Sequence, residues 1–217
     1  EGSPADPFCP PLLYQAQPTM TLAALAGLMS SYLNNGMAVY EMGTASSAIE
    51  KLILQDICNK IGYDANADGF LTSGGTLANL TALLAARRQM VKEDVWEDGS
   101  NKKLAVMVSE EAHYCIDRAA RIMGMGTSGI IKIPVDKHYR MRIDLLESYY
   151  EKATENGLQV IAVIGSAPTT STGIYDKLDE IASFCAKFNL WFHVDGAHGG
   201  AVVYSKKYKN NHPYRLA

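Results

Sequence analysis

The sequence predicts an α/β protein: a mostly parallel sheet with helices on both faces, preceded by an N-terminal arm and helices. Three observations carry this. Short apolar runs recur at 104–108, 129–133, 160–164 and 190–194. Segments with helical periodicity separate them. The runs are apolar with little alternation, as expected of strands buried on both faces of a parallel sheet.

Taken in chain order, the first twenty residues hold Pro4, Pro7, Pro10, Pro11 and Pro18. Proline fixes φ and removes a donor, so an extended arm is expected there. From Thr21, residues Leu22, Leu25, Leu28, Met29 and Leu33 recur at helical spacing until Asn34-Asn35-Gly36 stops them. A second helix is predicted over 46–61, with Ile49, Leu52, Ile53, Ile57 and Ile61 on one face and Gly62 ending it. The stretch 69–72 leads into Ser73-Gly74-Gly75-Thr76, which opens a helix with Leu77, Leu80, Leu83 and Leu84 on one stripe. Helices are also predicted over 114–123, 144–154 and 176–187. In the last, Leu178, Ile181, Ala182 and Cys185 form the apolar stripe and Asp176 is the expected N-cap. Residues 96–103 read as a surface loop. The expected organisation is an arm and helical segment over 1–62 and a large α/β domain over 63–217.

Net charge is −3, so no basic surface argues for a nucleic-acid partner. No apolar run reaches membrane-spanning length. The first residues, Glu1-Gly2-Ser3-Pro4, lack the layout of a signal peptide, and Cys9, Cys58, Cys115 and Cys185 fit no CxxC pattern. A reduced, cytoplasmic protein is the expectation.

In open parallel sheets, ligands bind beyond the carboxyl ends of the strands. Four stretches fall there or at a helix start. Ser73-Gly74-Gly75-Thr76 can cradle an anion, since glycines admit close approach and the helix start offers free N–H groups. A tight turn with no ligand is the plain alternative. His113, in Ser109-Glu110-Glu111-Ala112-His113, could cap a helix or stack on an aromatic ligand. Ser166-Ala167-Pro168-Thr169-Thr170 follows a strand. Asp195, in His193-Val194-Asp195-Gly196-Ala197-His198, is a carboxylate at the end of a buried strand and must find a partner. That partner could be a protonated ring nitrogen, a metal, a helix N-terminus or an arginine. The spacing of His193 and His198 does not suit a metal pair, and no metal is expected. Two patterns are decoys. Asp64–Gly69 begins like a calcium loop, but Gly75 stands where the closing glutamate should be. Asn79-Leu80-Thr81 matches a glycosylation signal inside a predicted helix.

Together the four ordered stretches resemble the group II decarboxylases that use pyridoxal 5′-phosphate (PLP) on fold type I, a family that includes glutamate, aromatic amino acid and L-2,4-diaminobutyrate decarboxylases. The likeness runs from about Gln17 to Tyr208 and implies an incomplete large domain of that fold. It implies that Ser73, Gly74, Gly75 and Thr76 bind the cofactor phosphate, and that His113 stacks on the ring. It implies that Asp195 pairs with the ring nitrogen and that Ala197 lies against the other ring face. Thr170, or its neighbour Thr169, would lie near the cofactor. The family usually has glycine before the two threonines; here it is Pro168. Residues 34–36 and 40–46, and the arm at Gln15 and Gln17, resemble segments near the substrate entrance. His113 and Asp195 are the candidate catalytic residues. The implied reaction is decarboxylation of an L-amino acid by a homodimer, with PLP as the electron sink. The alternatives are another fold type I enzyme, such as an aminotransferase or lyase, and a non-catalytic remnant domain.

The same resemblance places the lysine that holds PLP covalently roughly 30 residues beyond Asp195, usually in a His-Lys pair. No lysine in the sequence follows a histidine, and Lys206 and Lys207 lie too close behind Asp195. The 217 residues by themselves are therefore expected not to catalyse decarboxylation.

Overall fold

A computed structural model describes residues 20–207. The proline-rich arm, with Gln15 and Gln17, lies outside the described residues. The described residues divide into two compact units, with the boundary between Lys51 and Leu52.

In the first unit, α1 (Thr21–Leu33) ends where Asn34 adopts the left-handed conformation, φ 46°, and donates its N–H to the Ser30 carbonyl. Asparagine tolerates that conformation, which explains the predicted stop. The leucines expected on one face of α1 are all exposed. α2 (Thr44–Ile61) begins slightly earlier than predicted. The unit boundary falls within it.

The second unit holds α3 (Gly75–Met90), a short α4 (Val95–Asp98), β1 (Lys103–Ser109), α5 (Cys115–Ile122), β2 (Ile130–Ile133), α6 (Leu146–Glu155), β3 (Leu158–Ser166), α7 (Leu178–Phe188) and β4 (Trp191–Asp195). All four strands pair in parallel, in the order β2-β1-β3-β4. The predicted mostly parallel sheet is therefore present. Residues 69–72, which the sequence left as a lead-in to the phosphate-like turn, pair with no strand. Before them, Asp64 Oδ1 accepts from the Asn66 N–H at 2.9 Å, so the calcium-loop decoy is an ordinary Asx turn.

Alternating side chains of the central strands feed two core layers. Leu104, Val106 and Val108 of β1 pack with Leu83 and Ala86 of α3 and Ile116, Ala119 and Ala120 of α5. Ala105 and Met107 pack on the other side with Leu146 of α6 and Ile181, Phe184 and Cys185 of α7. Burial pushes the Cys185 thiol up to about 12, so it behaves as a small apolar side chain. β3 breaks its alternation once. Ala105 pairs with Val160 but Val106 with Ala162, so Ile161 is the extra residue of a bulge. Ile161 and Ala162 both join the α3/α5 layer, which period-two reading would have divided between faces.

Two details of the sequence reading are corrected. The buried stripe of α3 is Asn79, Leu83 and Ala86, while Leu77 is exposed. Of the predicted stripe, Leu83 is buried and Leu80 packs against the same core layer, so the packed face is rotated towards Asn79 and Ala86 and leaves Leu77 outside. Asp176 is not an N-cap; Lys177 occupies that position and no side chain caps α7. The Asp176 carboxylate instead accepts from the Met141 N–H and the Ser166 N–H, each at 2.8 Å, and is 2% exposed. It joins the segment after β2 to the carboxyl end of β3.

Burial raises the Asp176 carboxyl above its ordinary value, and the two backbone donors only partly oppose that. The folded state therefore binds the Asp176 proton more tightly than the unfolded chain. The group's contribution to stability is fullest below the ordinary value and declines as pH rises through the raised one. Asp176→Ala strands two buried N–H groups and should cost about 2–5 kcal/mol in urea unfolding. The deficit relative to wild type should be larger in mild acid than at neutral pH; the reverse trend would contradict this account.

Candidate functional site

The strand order creates the site. β1 connects through α5 to β2 on one side, and β3 connects through α7 to β4 on the other. α5 and α7 lie on opposite faces of the sheet. The chain thus leaves the adjacent carboxyl ends of β1 and β3 in divergent directions and opens a crevice between them.

A cavity of about 230 Å³ occupies that end of the sheet. Its walls include Gly75, Thr76, His113, Thr169, Thr170, Asp195 and Ala197. Residues predicted from four separate stretches are thus brought together. Ser73 and Gly74 are not part of the wall and form the turn immediately before it.

The turn is shaped by Thr72, whose hydroxyl donates to the Gly74 carbonyl at 3.0 Å. Gly74 is the N-cap of α3, and no side chain caps this helix start. Uncapped N–H groups and the helix dipole make a positive end. A Cβ built on Gly75 would sit 2.6 Å from the Ala197 Cβ, so α3 begins in direct contact with the loop after β4. Glycine at 75 and a small residue at 197 are both required by that approach.

Asp195 is the last residue of β4 and is 8% exposed. Its Oδ1 accepts from the Ala197 N–H at 3.2 Å. Among the described residues it forms no ion pair. Among the described residues, neither an arginine nor a helix N-terminus is its hydrogen-bond or ion-pair partner.

His113 stands before α5, half-buried, and its Nδ1 accepts from the Cys115 N–H at 3.3 Å. That bond leaves Nε2 as the second polar end of the ring. Thr169 is 2% exposed, and its hydroxyl bonds that of Thr172. Thr170 is exposed and turns to the cavity wall. Pro168 also lines the cavity. Above it, the Ser171 hydroxyl donates to Glu111 Oε2 at 3.3 Å, linking the loop after β3 to the loop after β1.

Sequence reasoning missed Asn79, Cys115, Ser166 and His198 as cavity residues. The available signal for Asn79 is its place four residues before Leu83 on the predicted helix; setting aside its glycosylation match as a decoy assigned it no role. His193 Nε2 lies 2.7 Å from Asn79 Oδ1. Burial holds the His193 imidazole below its ordinary value, and the nearby Asp195 charge opposes this. Among the described residues, no group of three or more His, Cys, Asp or Glu side chains gathers as a metal site.

The chain is similar to known proteins in sequence and fold. The chain is 31% identical over 193 residues to an L-aspartate decarboxylase of Metarhizium robertsii, covering 88% of this chain and 38% of that one. It is 29% identical to an L-2,4-diaminobutyrate decarboxylase of Acinetobacter baumannii, covering 88% and 40%. The crystal structure of the glutamate decarboxylase domain of a diaminobutyrate-pyruvate transaminase and L-2,4-diaminobutyrate decarboxylase from Vibrio parahaemolyticus superposes with a TM-score of 0.86. Its identity is 28%, over 94% of this chain and 46% of that one. The chain spans about two fifths of the length of the curated relatives it matches. The conserved domain of pyridoxal-dependent decarboxylases matches residues 10–215. With a match over nearly its whole length, the chain belongs to the pyridoxal-dependent decarboxylase family, whose cofactor is pyridoxal 5′-phosphate.

Proposed function

We propose that this chain supplies the phosphate, ring and ring-nitrogen contacts of a PLP-dependent L-amino acid decarboxylase. One observation carries the assignment. An uncapped helix start and a buried carboxylate without an ion-pair partner among the described residues face one cavity. An anion at the first and a cation at the second satisfy both, and PLP carries a phosphate and a protonated pyridine nitrogen.

The residues fit that group. The Gly75 and Thr76 N–H groups and the Thr76 hydroxyl would hold the phosphate, with Ser73 in the turn before them. His113 would cover one ring face, and Ala197, too small to obstruct, would lie at the other. Asp195 would hold the proton on the ring nitrogen, because a carboxylate within hydrogen-bond reach favours the charged form. When bound, PLP supplies the electron sink that takes up the pair left as carbon dioxide departs. Thr169 and Thr170 line the same cavity as Asp195. Among the described residues no lysine lines it. The chain by itself should therefore bind PLP without a covalent bond and turn over no amino acid. The whole protein is read as a homodimer acting in the cytoplasm.

The deciding experiment presents a panel of amino acids, acidic, diamino and aromatic, to the full-length protein with PLP and measures released carbon dioxide and the amine. Release of both from at least one substrate is expected. Amino transfer to a keto acid with no carbon dioxide would instead make the protein another kind of PLP enzyme. Asp195→Ala should weaken PLP about ten- to hundredfold, the equivalent of ~1.5–3 kcal/mol for a charge-assisted hydrogen bond. Fluorescence titration with PLP reads this directly, and unchanged affinity would remove Asp195 from the site. Gly75→Val should collide with Ala197 and weaken PLP by at least about tenfold. Circular dichroism would show whether the rest of the fold survives the substitution.

A further inference from the structure

Behind the cavity wall, one buried amide joins three elements. Asn79 of α3 is 3% exposed. Its Nδ2 donates to the Cys115 Sγ at the start of α5, at 3.2 Å. Its Oδ1 therefore faces His193 of β4, 2.7 Å from Nε2. A carboxamide oxygen can only accept, so Nε2 carries the hydrogen. Burial disfavours a second proton on the ring, leaving the neutral Nε2–H form.

His193 lies two residues before Asp195, so both project from the same face of β4. Trp191, two residues earlier again, packs into the α3/α5 core layer, which identifies that face. The titratable groups acting on His193 from the packed elements are few. Asp195, from β4 itself, acts on it directly, while Cys115 of α5, which Asp195 also influences, meets Asn79 rather than His193. From α3 comes the uncharged Asn79. A positive His193 would place a fixed cation beside Asp195 and compete with a ligand cation for its charge. Asn79 is thus placed to govern the charge that Asp195 presents to the cavity. The path continues past Cys115, whose backbone N–H donates to His113 Nδ1.

We propose that Asn79 is a positioning residue for the ring-nitrogen end of the site: it fixes the hydrogen of buried His193 on Nε2, brings no negative charge that would favour a second proton, and ties β4 to α3 and α5, so that Asp195 meets the ligand without a second cation beside it. This rests on the PLP reading above. An amide that merely packed would stabilise the fold but would not control the protonation of His193.

The test begins with histidine side-chain NMR on the cofactor-free protein over about pH 5 to 9, the range in which histidine charge changes. Wild-type His193 should stay neutral at pH 7 with its hydrogen on Nε2. Asn79→Asp puts a carboxylate on Nε2 and should raise the His193 value by about one to three units. PLP affinity in that variant should then fall as pH drops through the raised value. The double variant Asn79→Asp/His193→Gln should lose that step. Wild-type His193 found charged at pH 7, or carrying its hydrogen on Nδ1, would overturn the proposal without a variant having to fold. An Asn79→Asp protein with charged His193 and wild-type PLP affinity at every pH would overturn it too. Wild-type protein that binds no PLP would sink the cofactor reading and this inference with it, while the NMR result would still report whether Asn79 sets the tautomer.

Discussion

β1 and β3 lie side by side at the centre of the sheet, and the chain leaves their carboxyl ends in opposite directions. Parallel pairing requires a crossover for every connection, and crossovers of right-handed sense place helices on opposite faces when the direction of travel reverses. α5 follows the step from β1 outward to β2, while α6 and α7 follow the steps back through β3 to β4. The observed layers agree, with α5 on one face and α6 and α7 on the other. No loop can close over the point of divergence. The crevice is a consequence of strand order, and the residues at its rim became available for chemistry because the connections could not cover them.

Two buried aspartates at that end of the sheet show how the same side chain serves opposite purposes. Asp176 spends its carboxylate on two backbone donors, one from the segment after β2 and one from the end of β3. It completes hydrogen bonds that the irregular backbone would otherwise leave unmade. Asp195, with a bond from the Ala197 N–H and no ion pair among the described residues, retains acceptor capacity on the cavity side. Burial strengthens whatever interaction it makes, because a poorly screened charge attracts a cation more strongly. One carboxylate supports the walls and the other faces the cavity.

The sheet was legible because its strands are buried on both sides, and 104–108 and 160–164 could hardly be anything else in a chain of alternating periods. The bulge at Ile161 was not, since nothing in Leu158–Ser166 distinguishes an extra residue from regular pairing until β1 is set beside it. The site divides in the same way. Gly75, Thr76, His113 and Asp195 sit at element ends, where spacing along the chain predicts position in space. Asp176 and Asn79 act through partners far along the chain, Met141 for the first and His193 for the second. The residue type of Asp176 suggested a local cap, and Asn79 matched only a decoy pattern that assigned it no role. Only the packed fold gives them their real partners: the segment after β2 and the end of β3 for Asp176, and α5 and β4 for Asn79.

The electrostatics of the cavity also fix which way a ligand can lie. The start of α3 is positive, through aligned peptide dipoles and N–H groups that no side chain caps. Asp195 contributes negative charge to the same cavity. A flat ligand with a phosphate on one side and a protonated ring nitrogen on the other is attracted in one orientation. Turned around, its phosphate would meet the carboxylate and its cation the helix start, and both contacts would repel. Close approach of Gly75 to Ala197 removes side-chain bulk from the space between, so nothing forces the ring off its plane. Orientation then comes from charge and planarity from shape, with no need for a covalent bond to set either. A lysine that attaches to such a ligand would find it already aligned, and its own contribution would be to the chemistry rather than to the placement.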